Sequence, residues 1–183
     1  MKITKTNLEG CLLIEPQVYR DGRGLFYESF QKERYSKELG EDLEFVQDNF
    51  STSQRGVLRG LHFQIKKPQG KIVRVSRGKV YDVAVDIRPK SKSFKKWFGI
   101  ELSASNNLQL WIPPGFAHGF LVLSEEVDFE YKCTDYYDPH DEGSIRWNDP
   151  EISIDWPEES NIKLSKKDRT APYLNELDIR KLF

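Results

Sequence analysis

Apolar and polar residues alternate along this chain in short stretches, and the dominant period is two. Val127, Phe129, Tyr131 and Cys133 are interleaved with Asp128, Glu130, Lys132 and Thr134. That is the pattern of a strand with one buried face and one wet face. Further apolar segments of strand length run over 11–15, 24–30, 43–50, 57–63, 71–77, 79–88, 94–102, 108–112 and 118–123. Arg77-Gly78-Lys79 reads as a tight turn between two of them. Helical spacing is confined to 31–39, closed by Gly40, and to 176–182. Many short strands with few helices predict an all-β sandwich or barrel carrying a few short peripheral helices. No long linker, repeat or low-complexity tract interrupts residues 1–183, so a single domain is expected.

Charge narrows the partners. Lys and Arg number 28 against 29 Asp and Glu, for a formal net charge of -1, and no polybasic block stands out. A nucleic acid held by bulk electrostatics is therefore not expected. No apolar run approaches the ~20 residues of a membrane span, and no apolar signal core follows Met1. The only cysteines, Cys11 and Cys133, form no CxxC pair. The expectation is a cytoplasmic protein without a disulfide framework or a membrane partner.

Three histidines occur, at 62, 118 and 140. His118 closes Pro113-Pro114-Gly115-Phe116-Ala117-His118, which resembles the P-x-G-x-x-H pattern of cupin barrels. There the Pro and Gly make a turn that starts a strand and points its His inward. The resemblance implies a cupin-like jelly-roll barrel. Metal-binding cupins use H-x-H, a nearby carboxylate and the later His. Here Gln64 takes the second position and the basic Lys71 follows. An ammonium beside a divalent ion repels it, so no metal site is expected. No glycine-rich phosphate loop is present and no cofactor is implied.

Several motifs in order carry a closer resemblance. They are Arg59-Gly60-Leu61-His62-Phe63-Gln64, Lys71-Ile72-Val73-Arg74-Val75, residues 78–88, Pro114-Gly115-Phe116-Ala117-His118-Gly119-Phe120, residues 131–137 and Leu164-Ser165-Lys166-Lys167-Asp168. Together they resemble the dTDP-4-dehydrorhamnose 3,5-epimerase family from about Asp21 to Asp168. The resemblance implies a metal-free enzyme that inverts C3 and C5 of a dTDP-linked 4-keto-6-deoxyhexose on the route to dTDP-L-rhamnose. The C4 ketone acidifies the hydrogens on both carbons. An epimerase takes a proton from one face, returns one to the other, and stabilises the enolate between.

Carried over residue by residue, the resemblance implies that His62 is the base, Asp168 its carboxylate partner, Tyr131 the acid and Lys71 the enolate stabiliser. His118 would hydrogen-bond the sugar or its keto oxygen. Arg23, Arg59 and Lys167 would hold the diphosphate and Tyr137 would stack on thymine, with Glu28, Gln47, Asn49 and Glu142 as further binding positions. An imidazole suits the base because its ordinary pKa lies near neutral pH. Each residue also has an inert explanation. His62 and Tyr131 could be core residues, Asp168 could cap a helical turn after Ser165, and Lys71 could snorkel to water although it shares a strand face with Val73 and Val75. Gln47 and Asn49 are expected on one strand face with Leu43 and Phe45. Arg59 and His62 are three apart, so a regular strand sends them to opposite faces. Either a bulge at Gly60 or an approach around a strand end must bring both to one site.

The family works as a homodimer exchanging N-terminal strands, which would send Arg23 and Glu28 to the neighbouring site. Rival readings are an enzyme that epimerises only C3 or only C5, a 4-keto-sugar isomerase, and a non-catalytic sugar-nucleotide-binding cupin. A metal-dependent cupin oxygenase is opposed by Gln64.

Overall fold

The computed structural model describes residues 1–40, 43–157, 161–178 and 182–183. Among these, the strands are β1 (Lys2–Lys5), β2 (Leu12–Glu15), β3 (Tyr19–Asp21), β4 (Gly24–Phe26), β5 (Gln47–Gln54), β6 (Leu58–Gln64), β7 (Lys71–Arg77), β8 (Lys79–Asp86), β9 (Trp97–Ser103), β10 (Gln109–Ile112), β11 (Phe116–Val122), β12 (Glu126–Cys133) and β13 (Glu142–Ser144). Helix α1 (Lys32–Leu39) lies between β4 and β5, and α2 (Lys166–Arg169) follows β13.

Two sheets form the body, ordered β1-β2-β10-β7-β12-β5 and β13-β6-β11-β8-β9, while β3 and β4 pair only with each other. From β5 to β13 successive strands lie in opposite sheets, except for the β8–β9 hairpin. Every ladder between named strands is antiparallel. This back-and-forth course is that of a jelly roll, as the cupin-like pattern around His118 implied.

Period-two burial sorts each strand between layers. Val73 and Val75 of β7, Val80 and Ala84 of β8, Phe120 and Val122 of β11, and Val127 and Phe129 of β12 fill the space between the sheets. Their alternates Val83, Val85, Ala117 and Leu121 point out of the second sheet. There Ile145, Ile152, Ile154, Trp156 and Leu174 of the C-terminal segment cover them. The first sheet turns Ile14, Ile72 and Trp111 outward, under Tyr35 of α1. The Tyr35 hydroxyl donates to Gln109 Oε1 at 2.9 Å, which satisfies both polar groups beneath that helix.

The strands depart from their sequence-predicted bounds for local reasons. The segment predicted over 43–50 begins instead at Gln47 and runs to Gln54, because Ser51–Gln54 is a polar stretch of an edge strand. Leu43 and Phe45 lie before it and pack on the outer cluster beneath α1, so they do not share the Gln47 and Asn49 face. The 24–30 segment shrinks to Gly24–Phe26, and 94–102 begins at Trp97 after a run of turns. β1, β3 and β13 have only three or four residues each and no apolar period to reveal them. The helix expected over 176–182 is a single 3₁₀ turn at Leu174–Glu176, and 179–181 lie outside the described residues.

One irregularity shapes the site. His62 pairs with His118, yet Arg59 pairs with Phe120, so β6 advances three residues while β11 advances two. The extra residue is a bulge. It lets Leu58, Leu61 and Phe63 stay in the outward cluster, while Arg59 turns inward and its Nε donates to Ser53 Oγ on the opposite sheet at 3.0 Å. Gly60 holds the bulge with φ +130°, and a Cβ there would lie 2.5 Å from Gly119 Cα and 2.8 Å from the His118 carbonyl oxygen. Backbone cannot yield as a flexible side chain would. Gly60→Ala is expected to lower unfolding free energy by about 3 kcal/mol, read from the urea midpoint; a midpoint equal to wild type would dismiss the close contact.

Candidate active site

Between the sheets a cavity of about 340 Å³ is lined by Gln47, Asn49, His62, Lys71, Tyr131, Tyr137 and Glu142, together with Phe63, Gln64 and Gln69. Its size is that of a small-ligand pocket. The walls come from different sheets. His62 stands on β6 and Glu142 on β13 of one, while Gln47 and Asn49 on β5, Lys71 on β7 and Tyr131 on β12 belong to the other. His62 and Tyr131 therefore line one cavity from different sheets.

His62 is held from behind. Its Nε2 lies 2.6 Å from Asp168 Oδ1, and the imidazole side chain is 31 % exposed while that of Asp168 is 4 % exposed. The tautomer that donates Nε2–H to the carboxylate leaves the lone pair on Nδ1, as a base requires. Asp168 sits in α2, where the N-cap Ser165 hydroxyl accepts from the Asp168 backbone N–H and donates to Asp168 Oδ2 at 2.8 Å. The capping role and the His-orienting role therefore coexist. Burial pushes the Asp168 carboxyl up, but the hydrogen bond and charge of His62, with Ser165 and Lys167, outweigh it and hold the carboxyl below its ordinary value.

Tyr131 lies opposite Asn49 of β5 and Val73 of β7. Burial raises its pKa, with the nearby Cys133 adding and Arg59 opposing, so the phenol keeps its proton at neutral pH. Lys71 is the register partner of Cys133. Burial lowers its pKa, and Cys133, Glu142 and Asp82 pull the other way, toward the ammonium. His118 lies deeper, 9 % exposed, stacked on Phe129 with ring centroids 6.0 Å apart. Its Nε2 is 2.9 Å from Asp82 Oδ2. Only Nδ1 is then left to meet a ligand, accepting from a hydroxyl when neutral and donating to an oxygen when protonated.

At the mouth, one oxygen of Glu142 is shared. The Tyr137 hydroxyl donates to Oε2 at 2.9 Å and Lys167 pairs with the same atom. Burial raises the Glu142 carboxyl, but Lys167 and Tyr137, with the charge of His62, bring it below its ordinary value. A chain of hydrogen bonds runs inward from here. The Tyr137 N–H donates to Gln47 Oε1 at 2.9 Å, Gln47 Nε2 to Asn49 Oδ1 at 3.0 Å, and Asn49 Nδ2 to Cys133 Sγ at 3.6 Å.

Arg23 and Glu28 are not brought to this pocket. Arg23 pairs with Asp21 at the β3–β4 turn, and Glu28 pairs with Arg34 of α1. Among the described residues, no group of three His, Cys, Asp or Glu is placed to hold a metal ion. Asp82, Ser53 and Cys133 were not singled out in the sequence. Asp82 carried a signal, because a carboxylate between Val80 and Ala84 on a buried strand face demands a partner. Ser53 carried none, being one polar residue among many on an edge strand.

The chain matches, over residues 5–176, a family model described as dTDP-4-dehydrorhamnose 3,5-epimerase. It is 53 % identical over 178 residues to a protein of that name from Escherichia coli strain K12, covering 97 % of this chain and 96 % of the relative. Among solved structures it is similar to dTDP-6-deoxy-D-glucose-3,5-epimerase from Legionella pneumophila Philadelphia 1 in complex with dTDP-4-keto-L-rhamnose. That match has TM-score 0.96 and 54 % identity, and covers 99 % of this chain and 96 % of that one. It also resembles a 3'-monoepimerase from Streptomyces bikiniensis in complex with dTDP-quinovose, with TM-score 0.87 and 33 % identity over 93 % of this chain and 86 % of that one.

The lowered Asp168 pKa has a consequence for stability. The contribution is fully present above the ordinary aspartate value of about 4 and is lost as pH falls through the lower folded value. Asp168→Asn is expected to melt below wild type at pH 6 and to lose less of its melting temperature between pH 5 and pH 3. Parallel curves for the two proteins across that range would show that the pair contributes nothing.

Proposed function

The chain belongs to the dTDP-4-dehydrorhamnose 3,5-epimerase family, and we propose that it inverts C3 and C5 of dTDP-4-dehydro-6-deoxy-D-glucose to give dTDP-4-dehydro-L-rhamnose. The observation that carries this reading is the placing of a carboxylate-backed imidazole on one sheet and a protonated phenol on the facing sheet. Inversion needs a base and an acid on opposite faces of one carbon.

In this reading His62 Nδ1 removes the hydrogen beside the ketone. The C–H electron pair becomes the enolate double bond, and the carbonyl pair moves onto the C4 oxygen. Asp168 stabilises the imidazolium so formed, and the Lys71 ammonium stabilises the oxyanion. The Tyr131 hydroxyl then delivers its proton to the opposite face of the carbon, and the enolate returns to the ketone. The same residues serve C3 and C5 in turn. Arg59 and Lys167 hold the diphosphate, and Lys167 leaves Glu142 to do so. Tyr137 stacks on the thymine ring, Gln47 and Asn49 position the ligand from β5, and His118 meets the sugar through Nδ1. Two inversions rather than one are favoured by identity, at 54 % to the Legionella 3,5-epimerase against 33 % to the Streptomyces monoepimerase.

We further propose that the chain acts as one domain in a homodimer, with the segment holding Arg23 and Glu28 reaching the partner's pocket. Tyr19 and Phe26 of the β3–β4 hairpin are 62 % and 67 % exposed, which suits a surface that another chain covers.

Proton NMR in heavy water tests the chemistry. Wild type should exchange the hydrogens at both C3 and C5. His62→Asn should slow both exchanges by ~100-fold or more while dTDP binding is retained. Tyr131→Phe should still exchange protons but form little inverted product. Wild-type turnover in His62→Asn would remove it as the base, and exchange at one carbon alone in wild type would leave a monoepimerase. Arg23→Ala tests the dimer: it should bind dTDP ~10-fold more weakly, and mixing it with His62→Asn, which supplies an intact Arg23, should restore turnover at low substrate above that of either variant alone. Sedimentation as a monomer would end that part of the reading.

A further inference from the structure

Gln64 stands where metal-binding cupins carry the second His of H-x-H, and nothing in the chemistry above uses it. It ends β6, is 4 % exposed, and has all its polar atoms engaged. Its Nε2 donates to the Lys67 carbonyl at 2.8 Å and to the Tyr136 carbonyl at 3.2 Å. Its Oε1 accepts from the Asp138 N–H at 2.8 Å. Two of those bonds flank Tyr137, one on the residue before it and one on the residue after. The Tyr137 N–H is itself held by Gln47 Oε1. Three consecutive residues of an exposed turn are therefore fastened to strands β5 and β6.

The neighbouring loop is tied into the same seam. Asp141 accepts from the N–H groups of Lys66 and Lys67 at 2.8–2.9 Å, and Gln69 Nε2 donates to the Asp135 carbonyl at 2.8 Å. Against this fixed backbone the Tyr137 residue remains 51 % exposed. An open aromatic surface on an immobilised turn is ordered before a ligand arrives, so binding does not bear the entropy of fixing it.

We propose that Gln64 is a positioning residue that sets the affinity of the pocket for the nucleotide by holding the Tyr136–Asp138 turn in its binding geometry. It acts through Tyr137, and the proposal rests on the reading of Tyr137 as the ring that stacks on the nucleobase. The residue type is specific to the task. A primary amide offers two donors and an acceptor on one short planar group, whereas imidazole offers one of each when neutral and a carboxylate offers no donor. Asn has the same groups but is one methylene shorter. The position that holds a metal in other barrels of this pattern is here given to holding a loop.

The test compares Gln64→Glu, which keeps the shape and loses both donors, with Gln64→Met, which removes the polar groups, and with Tyr137→Ala. Thymidine diphosphate binding is measured by calorimetry, kcat and KM with the sugar nucleotide, and amide hydrogen exchange at Asp138. Both Gln64 variants should bind thymidine diphosphate ~10-fold more weakly, with KM raised to match and kcat within ~2-fold of wild type. The Asp138 amide should exchange faster in folded Gln64→Met, which removes its acceptor, whereas Gln64→Glu keeps that oxygen. Tyr137→Ala should weaken binding too, and adding Gln64→Met to it should cost little more, because the two act as a unit. Wild-type affinity in both Gln64 variants, or unchanged exchange at Asp138 in Gln64→Met, would overturn the proposal. Weak binding in the Gln64 variants and fast Asp138 exchange in Gln64→Met beside a silent Tyr137→Ala would keep the clamp and discard the stacking role of Tyr137.

Discussion

The site depends on a place where two strands touch without side chains. Gly60 on β6 lies against Gly119 on β11 so closely that even a methyl group has no room. That contact permits the bulge, and the bulge puts Arg59, though exposed, and His62 on the side of the facing sheet. A regular strand would have sent one of them into the cluster under the C-terminal segment, where a charge has no partner and a base has no substrate. The fold thus trades a stretch of even pairing for two polar side chains on one face.

Charge is handled differently at different depths. The buried Asp86 accepts from Arg88, Ser91 and Ser93, so both its oxygens are satisfied and it serves the turn that follows β8. Asp82, equally buried, gives one oxygen to His118, and its other oxygen has no hydrogen-bond partner among the described residues. Asp168 lies between these cases, fully used by His62 and Ser165 yet set against the pocket. Carboxylates buried this far are stable when hydrogen-bonded or paired. The pocket draws on that requirement: Asp168 and Asp82 each anchor an imidazole, and those two imidazoles are register partners on adjacent strands.

The strands were legible where period-two patterning was strong. β7 occupies the predicted 71–77, and β12 differs from its predicted span by one residue at each end. Reading failed where pattern was absent, in the short strands β1, β3 and β13 and in the polar second half of the edge strand β5, whose partners rather than its composition make it a strand. The proposed base, its carboxylate partner and the proposed acid were named from motif resemblance; the structure brings His62 to Asp168 and has His62 and Tyr131 line one cavity. The conflict at Arg59 and His62 was visible as simple strand geometry, and the choice between a bulge and a strand-end approach needed the pairing register. Gln64 was read only for what it does not do. Its three bonds reach loops that are distant in sequence, which no local pattern encodes. The pairing of Arg23 with Asp21 in the chain likewise follows from a hairpin too short to announce itself.

In the proposed mechanism the base and the acid stand on different walls, so hydrogen crosses the pocket in one direction. His62 gains a proton whenever a carbon is stripped, and Tyr131 loses one whenever a carbon is refilled. A sugar inverted at two positions therefore needs both groups returned to their starting states midway. The phenol sits on the inner face among core side chains, whereas the imidazole keeps about a third of its surface in contact with water. In the proposed mechanism that exposure lets the imidazole return its proton to bulk solvent. In that reading the hydrogens that end on C3 and C5 are drawn from the surroundings, so those two positions of the product carry the isotopic composition of the water in which it was made.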